Sequence, residues 1–326
     1  MTGGKPDILI YGPVMPTIVE QLGGVFTVHK LWEAKDRDKL IGELSSSLRA
    51  LVASFGQSGL DGGFFAHFPK LEIISSFGVG YNHVDVDWAA AHGVVVTNTP
   101  DVLTEEVADT ALGLLLATLR ELPAAERYLR AGKWPQAPYP LTATLRDRKI
   151  GILGMGRIGK AIARRLEAFG VPISYCGRHR QTDLAYPYYA DVVAMARDVD
   201  VLIAIVPANA ETDRMIDMDV FKALGPRGIL INVARGSVVD EQALIKALQD
   251  KTIASAGLDV FLDEPNVPQE LIAMDHIVLL PHVASASRHT RNAMAQLVVD
   301  NVLRWFEGKP PLTPVAETPW PPRPRK

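Results

Sequence analysis

The sequence predicts an α/β fold with two parallel sheets. Short runs rich in β-branched and aromatic residues alternate with helical patterns along the chain, the mark of βαβ units. The alternation comes in two series separated by one long apolar segment. The chain is also long enough to bury two cores, with 326 residues, 48% hydrophobic and 22% charged.

In the first series DILIYG, FTVHKL, ALVASFG, LEIISSFG and GVVVTN read as strands. A long helix then starts at about Thr104, with that hydroxyl at the expected N-cap and Glu105 and Glu106 in the first turn, where acids suit the helix dipole. The second series is KIGILGMG, PISYCG, DVLIAIV, GILINVA, IASAGLDV and HIVLLPH, each followed by turn or helix signals. The closing TPWPPRPRK is rich in proline and is expected to run extended along the surface or to be disordered. No short repeat is visible, although the two series amount to a structural duplication.

Composition excludes several function classes. A net charge of -3 with dispersed signs gives no general attraction to nucleic acid or to an anionic membrane. The most apolar helical run, ALGLLLATL, is too short to span a bilayer and is bracketed by Asp109 and Arg120. MTGGKPDILIYG lacks the blocks of a signal peptide. Cys176 is the only cysteine, so no disulfide forms within the chain and a cytoplasmic location is expected. It reads as a small core residue rather than a nucleophile. No metal site is expected.

The most specific motif is KIGILGMGRIGKAIARRLEAFG. Gly154, Gly156 and Gly159 form G-x-G-x-x-G directly after an apolar strand and directly before an amphipathic helix, the context of a dinucleotide-binding unit. The first glycine permits the tight turn, the second lets backbone approach a pyrophosphate, and the third packs helix on strand. The backbone around Met155, Arg157 and Ile158 would hold the phosphates at the helix start. At the end of the next strand, YCGRHRQ has Gly177 where an NAD-preferring site presents an acid, followed by Arg178, His179 and Arg180. These bases suit a 2′-phosphate, so NADPH is the preferred cofactor, with NADH use left open.

Ionisable residues then fall near the carboxyl ends of strands in INVARGSVVD, GLDVFLDEP and LLPHVASAS, the edge of a parallel sheet where ligands bind. Arg235, Glu264 and His282 are the candidates to meet there. Taken singly, each has an ordinary alternative: a helix cap, a solvated turn acid and a core histidine.

In this order, after GMGRIG, the three resemble the signature of the D-2-hydroxyacid dehydrogenase family. The resemblance extends through SSFGVGYNHVDV, NTPDVLTEEVAD and GKPPLTPV, and within the family it is closest to the glyoxylate and hydroxypyruvate reductases and the related hydroxyphenylpyruvate reductases. It implies two Rossmann-like doubly wound domains: a flavodoxin-like substrate domain of residues 1–99 and 284–326, and an inserted NAD(P)-binding domain of residues 100–283. The two chain crossings would act as a hinge that closes over cofactor and keto acid.

The implied chemistry is reduction of a 2-keto acid. His282 would be the general acid, with Glu264 orienting its ring and favouring the charged form. Arg235 would hold the substrate carboxylate and polarise the carbonyl. The family assigns the carboxylate also to backbone N–H groups of Val79 and Gly80, and Ser285 offers a hydroxyl to the substrate. Thr104, Val206, Pro207, Val233 and Asp259 would line the cofactor, Asp259 at its nicotinamide end. RYLRAGKWPQAPYPLTATLRDRK would belong to a homodimer interface of the NAD(P)-binding domains, with Trp134 either reaching the partner's substrate pocket or packing locally. Of two relatives of the same fold, a formate dehydrogenase is disfavoured by Glu264 and His282, since its substrate has no carbonyl to protonate, while a phosphoglycerate dehydrogenase stays open although it usually carries extra C-terminal sequence. A different class stays open: a non-enzymatic protein that senses cofactor.

Overall fold

The computed structural model describes residues 4–54 and 59–322. The chain divides into two compact units, Met1–Leu103 with Ser287–Lys326, and Thr104–Ala286. The divisions fall after Leu103 and Ala286, a few residues beyond the expected 99/100 and 283/284.

The first unit has a parallel sheet of β1 (Asp7–Ile10), β2 (Thr27–Lys30), β3 (Ala50–Ser54), β4 (Ile73–Phe77) and β5 (Val95–Thr97), in the order β2-β1-β3-β4-β5. This is the flavodoxin-type order. Every residue of β3, β4 and β5 is buried, as expected of parallel strands covered on both faces. Phe55 and Gly56, the end of the expected third strand, lie outside the described residues. Leu9, Leu51, Ile74, Phe65, Phe68 and Val96 form the core.

Two serines in β4 are fully buried, and both are paired. Ser75 Oγ donates to Val298 O at 3.3 Å and accepts from Thr97 Oγ1 at 3.0 Å, and Ser76 Oγ lies 3.2 Å from His83 Nε2. Helix Arg288–Phe306 packs against β4 and helix Pro16–Val25. The chain then returns along β5, where Val315 N donates to Val96 O and Val96 N to Thr318 Oγ1. The sheet's edge is thereby covered. Thr318 is buried, so the proline-rich tail is tied down at its start, and residues 319–322 beyond it are exposed or half-buried. Its last four residues, 323–326, lie outside the described residues.

The second unit has a parallel sheet of β6 (Ile150–Leu153), β7 (Ile173–Cys176), β8 (Tyr188–Tyr189), β9 (Val201–Ala204), β10 (Ile229–Asn232), β11 (Ser255–Leu258) and β12 (Val278–Leu279), in the order β12-β11-β10-β9-β6-β7-β8. The order reverses between β6 and β9, the switch point at which dinucleotides bind. Helix Thr104–Leu119 packs on β10 and β11. It begins at Thr104 itself, so this residue is not the cap that precedes the helix. Glu105 and Asp109 pair with Arg164 and Arg165 of helix Arg157–Glu167. No helix among the described residues is long and apolar enough to cross a membrane.

A helix unmarked in the sequence, Leu122–Arg130, follows and buries no residue. The segment after it folds back: Tyr139 Oη donates to Glu121 Oε2 at 2.9 Å, and Tyr128 and Tyr139 meet edge to face at 5.3 Å. Leu122, Leu129, Trp134 and Leu141 remain exposed.

Candidate active site

The glycine turn after β6 has the geometry its sequence requires. Gly154 has φ 104°, and a Cβ there would lie 2.8 Å from the Ile205 carbonyl and 2.9 Å from Val206 Cγ1. A Cβ on Gly159 would lie 2.1 Å from the Gly154 carbonyl, so helix and turn are in contact through bare backbone. A Cβ on Gly156 would meet nothing within 4 Å, and no side chain caps the helix that starts behind it. An uncapped helix start next to open space is the setting in which backbone N–H groups hold a phosphate. These features fit a dinucleotide: Met155, Gly156, Arg157 and Ile158 surround the open position, and Val206 and Pro207 follow β9 on the other side of the switch point. Val233 is buried, and its N–H donates to Ala204 O at the end of β9.

Beyond β7, Gly177 also faces open space, with nothing within 4 Å of an ideal Cβ. Arg178, His179 and Arg180 are all exposed. None has a hydrogen bond or ion pair among the described residues. Cys176 just before them is buried, and burial together with the nearby Asp191 charge pushes its thiol up to about 11. It is a core residue, not a thiolate.

His282 and Glu264 come together at the sheet's ligand edge. His282 Nδ1 lies 2.6 Å from Glu264 Oε2. A carboxylate can only accept, so this bond puts a proton on Nδ1. Phe261 N donates to Glu264 Oε1 at 3.0 Å and completes the support. Burial pushes the Glu264 carboxyl up, but the bonds from His282 and Phe261 N and the nearby Arg235 charge outweigh it, leaving it below the usual value. Burial lowers the pKa of the Arg235 guanidinium, and attraction to Glu264 opposes this.

Asp259 is 1% exposed and supports the turn that carries His282. Its Oδ1 and Oδ2 accept from Val283 N at 2.7 Å and Ala284 N at 2.9 Å, while His282 N donates to its carbonyl at 2.8 Å. His282 sits at φ 53°, a left-handed conformation that a side chain adopts only when its surroundings impose it. Asp259 thus holds the histidine turn. Ser285 follows in the same turn, half-buried.

Two further supports carry no motif of their own. Asn232 accepts from Ala234 N at 3.0 Å and donates to Arg235 O at 3.1 Å, fixing the turn that presents Arg235. Gly236 packs against the Phe261–Leu262 backbone, where a Cβ would lie 1.9 Å from Phe261 C. The glycine following Arg235 was the available sequence signal. Gly236→Ala must push the Arg235 turn away from the Glu264 turn, because backbone cannot yield as a side-chain tip does. We expect a loss of about 1–3 kcal/mol in stability together with a lower kcat. Thermal unfolding and steady-state kinetics check this, and wild-type behaviour in both would show that the two turns tolerate separation.

In the other unit, the backbone after β4 turns at Gly78–Gly80. Asn98 Nδ2 donates to Val79 O at 2.9 Å, Thr99 N donates to Gly78 O, and Gly78 N donates to Thr99 Oγ1. The N–H groups of Val79 and Gly80 have no acceptor among the described residues. Asn98 itself is tied to Thr313, whose Oγ1 donates to Asn98 O at 2.6 Å. The loop expected to hold a carboxylate is thus braced and retains free donors.

Comparison with known proteins agrees with this geometry. The family model for the NAD-binding domain of D-isomer specific 2-hydroxyacid dehydrogenases matches residues 112–284. The chain is 45% identical to a glyoxylate/hydroxypyruvate reductase of Arabidopsis thaliana over 94% of this chain and 98% of that protein. It is 42% identical to a hydroxyphenylpyruvate reductase of Plectranthus scutellarioides over the same shares. A solved NADPH-dependent glyoxylate/hydroxypyruvate reductase from Sinorhizobium meliloti, in complex with NADP and malonate, superposes with a TM-score of 0.92 at 52% identity, covering 99% of this chain and 100% of that one. With a glycine turn at the switch point, a paired histidine and glutamate beside a half-buried arginine, and relatives matched over nearly their whole length, the chain belongs to the D-isomer specific 2-hydroxyacid dehydrogenases.

Proposed function

We propose that the protein is an NADPH-dependent 2-keto acid reductase that converts glyoxylate or hydroxypyruvate to glycolate or D-glycerate. The observation that carries this is the 2.6 Å His282–Glu264 pair with the Arg235 charge beside it. Arg235 binds the carboxylate and polarises the keto group, as a planar fork of donors can. His282, oriented by Glu264, gives its proton to the oxygen that becomes the hydroxyl. Val79 and Gly80 supply backbone donors to the carboxylate, and Ser285 a hydroxyl. The nicotinamide, when bound, supplies the hydride. Thr104, Val206, Pro207, Val233 and Asp259 line its site, the glycine turn holds the pyrophosphate, and Arg178 with His179 or Arg180 meets the 2′-phosphate.

Steady-state turnover on glyoxylate, hydroxypyruvate, pyruvate, phenylpyruvate and 4-hydroxyphenylpyruvate with both nicotinamides tests the proposal. Glyoxylate or hydroxypyruvate is expected to give the highest kcat/KM. A preference for the aromatic acids would favour a second reading, supported by the 42% identity to a hydroxyphenylpyruvate reductase. Cofactor binding without turnover on any of these acids would point to a sensing role instead.

A homodimer through the NAD(P)-binding unit belongs to this proposal. The exposed Leu122, Leu129, Trp134 and Leu141 on and after a helix with no buried face support it, since such a cluster asks for a partner. Leu129→Asp combined with Leu141→Asp is expected to shift the sedimentation mass from two chains to one. A wild-type protein that sediments as a monomer would remove the dimer.

A further inference from the structure

The basic turn is anchored at both ends. At its start, Gly154 N donates to Cys176 O at 2.9 Å, and Tyr188 Oη donates to Gly177 O at 3.1 Å. At its end, the Gln181 amide Nε2 donates to Met155 O at 2.7 Å, and Gln181 N donates to the buried Tyr175 Oη at 2.8 Å. Residues 177–181 therefore leave the glycine turn at one hydrogen bond and return to it at another. Arg178, His179 and Arg180 sit between these fastenings with no bond of their own among the described residues.

From this closed loop we infer that Gln181 is a positioning residue for cofactor selection: its amide fixes the distance between the basic turn and the glycine turn. The inference rests on the proposed NADPH preference. A 2′-phosphate and a pyrophosphate belong to one adenosine, so the two anion sites must stand at a set separation to be filled together. Holding that separation before binding avoids ordering the turn upon binding. NADH has no 2′-phosphate and engages only the glycine turn, so it gains nothing from the fastening. A residue needed merely for folding would affect both cofactors alike.

The test is direct titration of NADPH and NADH into wild type, Gln181→Leu, Tyr188→Phe and Arg178→Ala, with amide hydrogen exchange over 177–181 in the cofactor-free proteins. Gln181→Leu is expected to weaken NADPH about three- to tenfold, the scale of one lost hydrogen bond. NADH should stay within about twofold, and exchange in the turn should quicken. Tyr188→Phe, which removes the bond to Gly177 O at the other end of the turn, should act in the same direction and guards against a single misfolded variant. Equal weakening of both cofactors overturns the inference, as does unchanged NADPH binding by Gln181→Leu when Arg178→Ala loses the preference. A wild type that binds both cofactors equally overturns the NADPH reading and this inference with it, whatever the exchange data give.

Discussion

His282→Ala is expected to lower kcat for keto-acid reduction by roughly 10²- to 10⁴-fold, the usual contribution of a positioned general acid, with cofactor affinity unchanged. The histidine is held by two independent supports: the carboxylate of Glu264 at Nδ1 and the Asp259 carbonyl and carboxylate on the turn that carries it. Alanine leaves the Asp259 bonds intact, since they are made to backbone N–H groups, so the variant should fold and the loss should be chemical. Glu264→Gln keeps the shape but removes the carboxylate that fixes the proton on Nδ1 and orients the ring, so kcat should fall here too while cofactor affinity holds. Glu264 itself is held below its usual value of 4.5. Its contribution to stability is complete above that pH and is lost only as the pH drops through the lower folded value. Steady-state kcat and KM for wild type and both variants decide the matter. Unchanged kcat in Glu264→Gln would remove the glutamate from this role, and near-wild-type turnover in His282→Ala would end the proposed mechanism.

Much of this fold was legible because parallel strands covered on both faces must be continuously apolar. Ile150–Leu153, Val201–Ala204 and Ile229–Asn232 are buried throughout and stood out as strands between turns. Tyr188–Tyr189 did not, being two half-buried residues in a polar stretch. Helix Leu122–Arg130 did not either, because it buries nothing within its own chain and its periodicity has no core to answer to. The site divides in the same way. Residues whose chemistry is rare at a strand's end, such as Arg235, Glu264 and His282, could be picked out one by one. Asn232, Asn98 and Gln181 act through side-chain hydrogen bonds to backbone groups, and no local pattern marks such an amide. Asp259 was singled out as a cofactor contact, whereas its hold on the histidine turn is a tertiary fact that no local pattern marks.

The cofactor preference should reverse at a single glycine. Wild type is expected to favour NADPH over NADH by at least about tenfold in kcat/KM. A charge-assisted hydrogen bond to phosphate contributes about 1.5–3 kcal/mol, and about 1.4 kcal/mol suffices for a factor of ten. The exposed turn is open to salt, which screens such contacts, so the tenfold figure is set near the bottom of that range and should shrink as salt is added. Arg178→Ala should lose most of the preference through the KM for NADPH. Gly177→Asp goes further. Its new carboxylate enters a space where a Cβ meets nothing within 4 Å, so it needs no rearrangement to reach the ribose edge. There it can accept from the ribose hydroxyls of NADH, and its charge repels a 2′-phosphate. Gain of one cofactor and loss of the other act together on the ratio, so the variant should favour NADH. Steady-state kinetics with both cofactors in the three proteins read this directly. Retained NADPH preference in Gly177→Asp would mean that the 2′-phosphate lies away from this turn, and Arg178, His179 and Arg180 would then be ordinary surface charges.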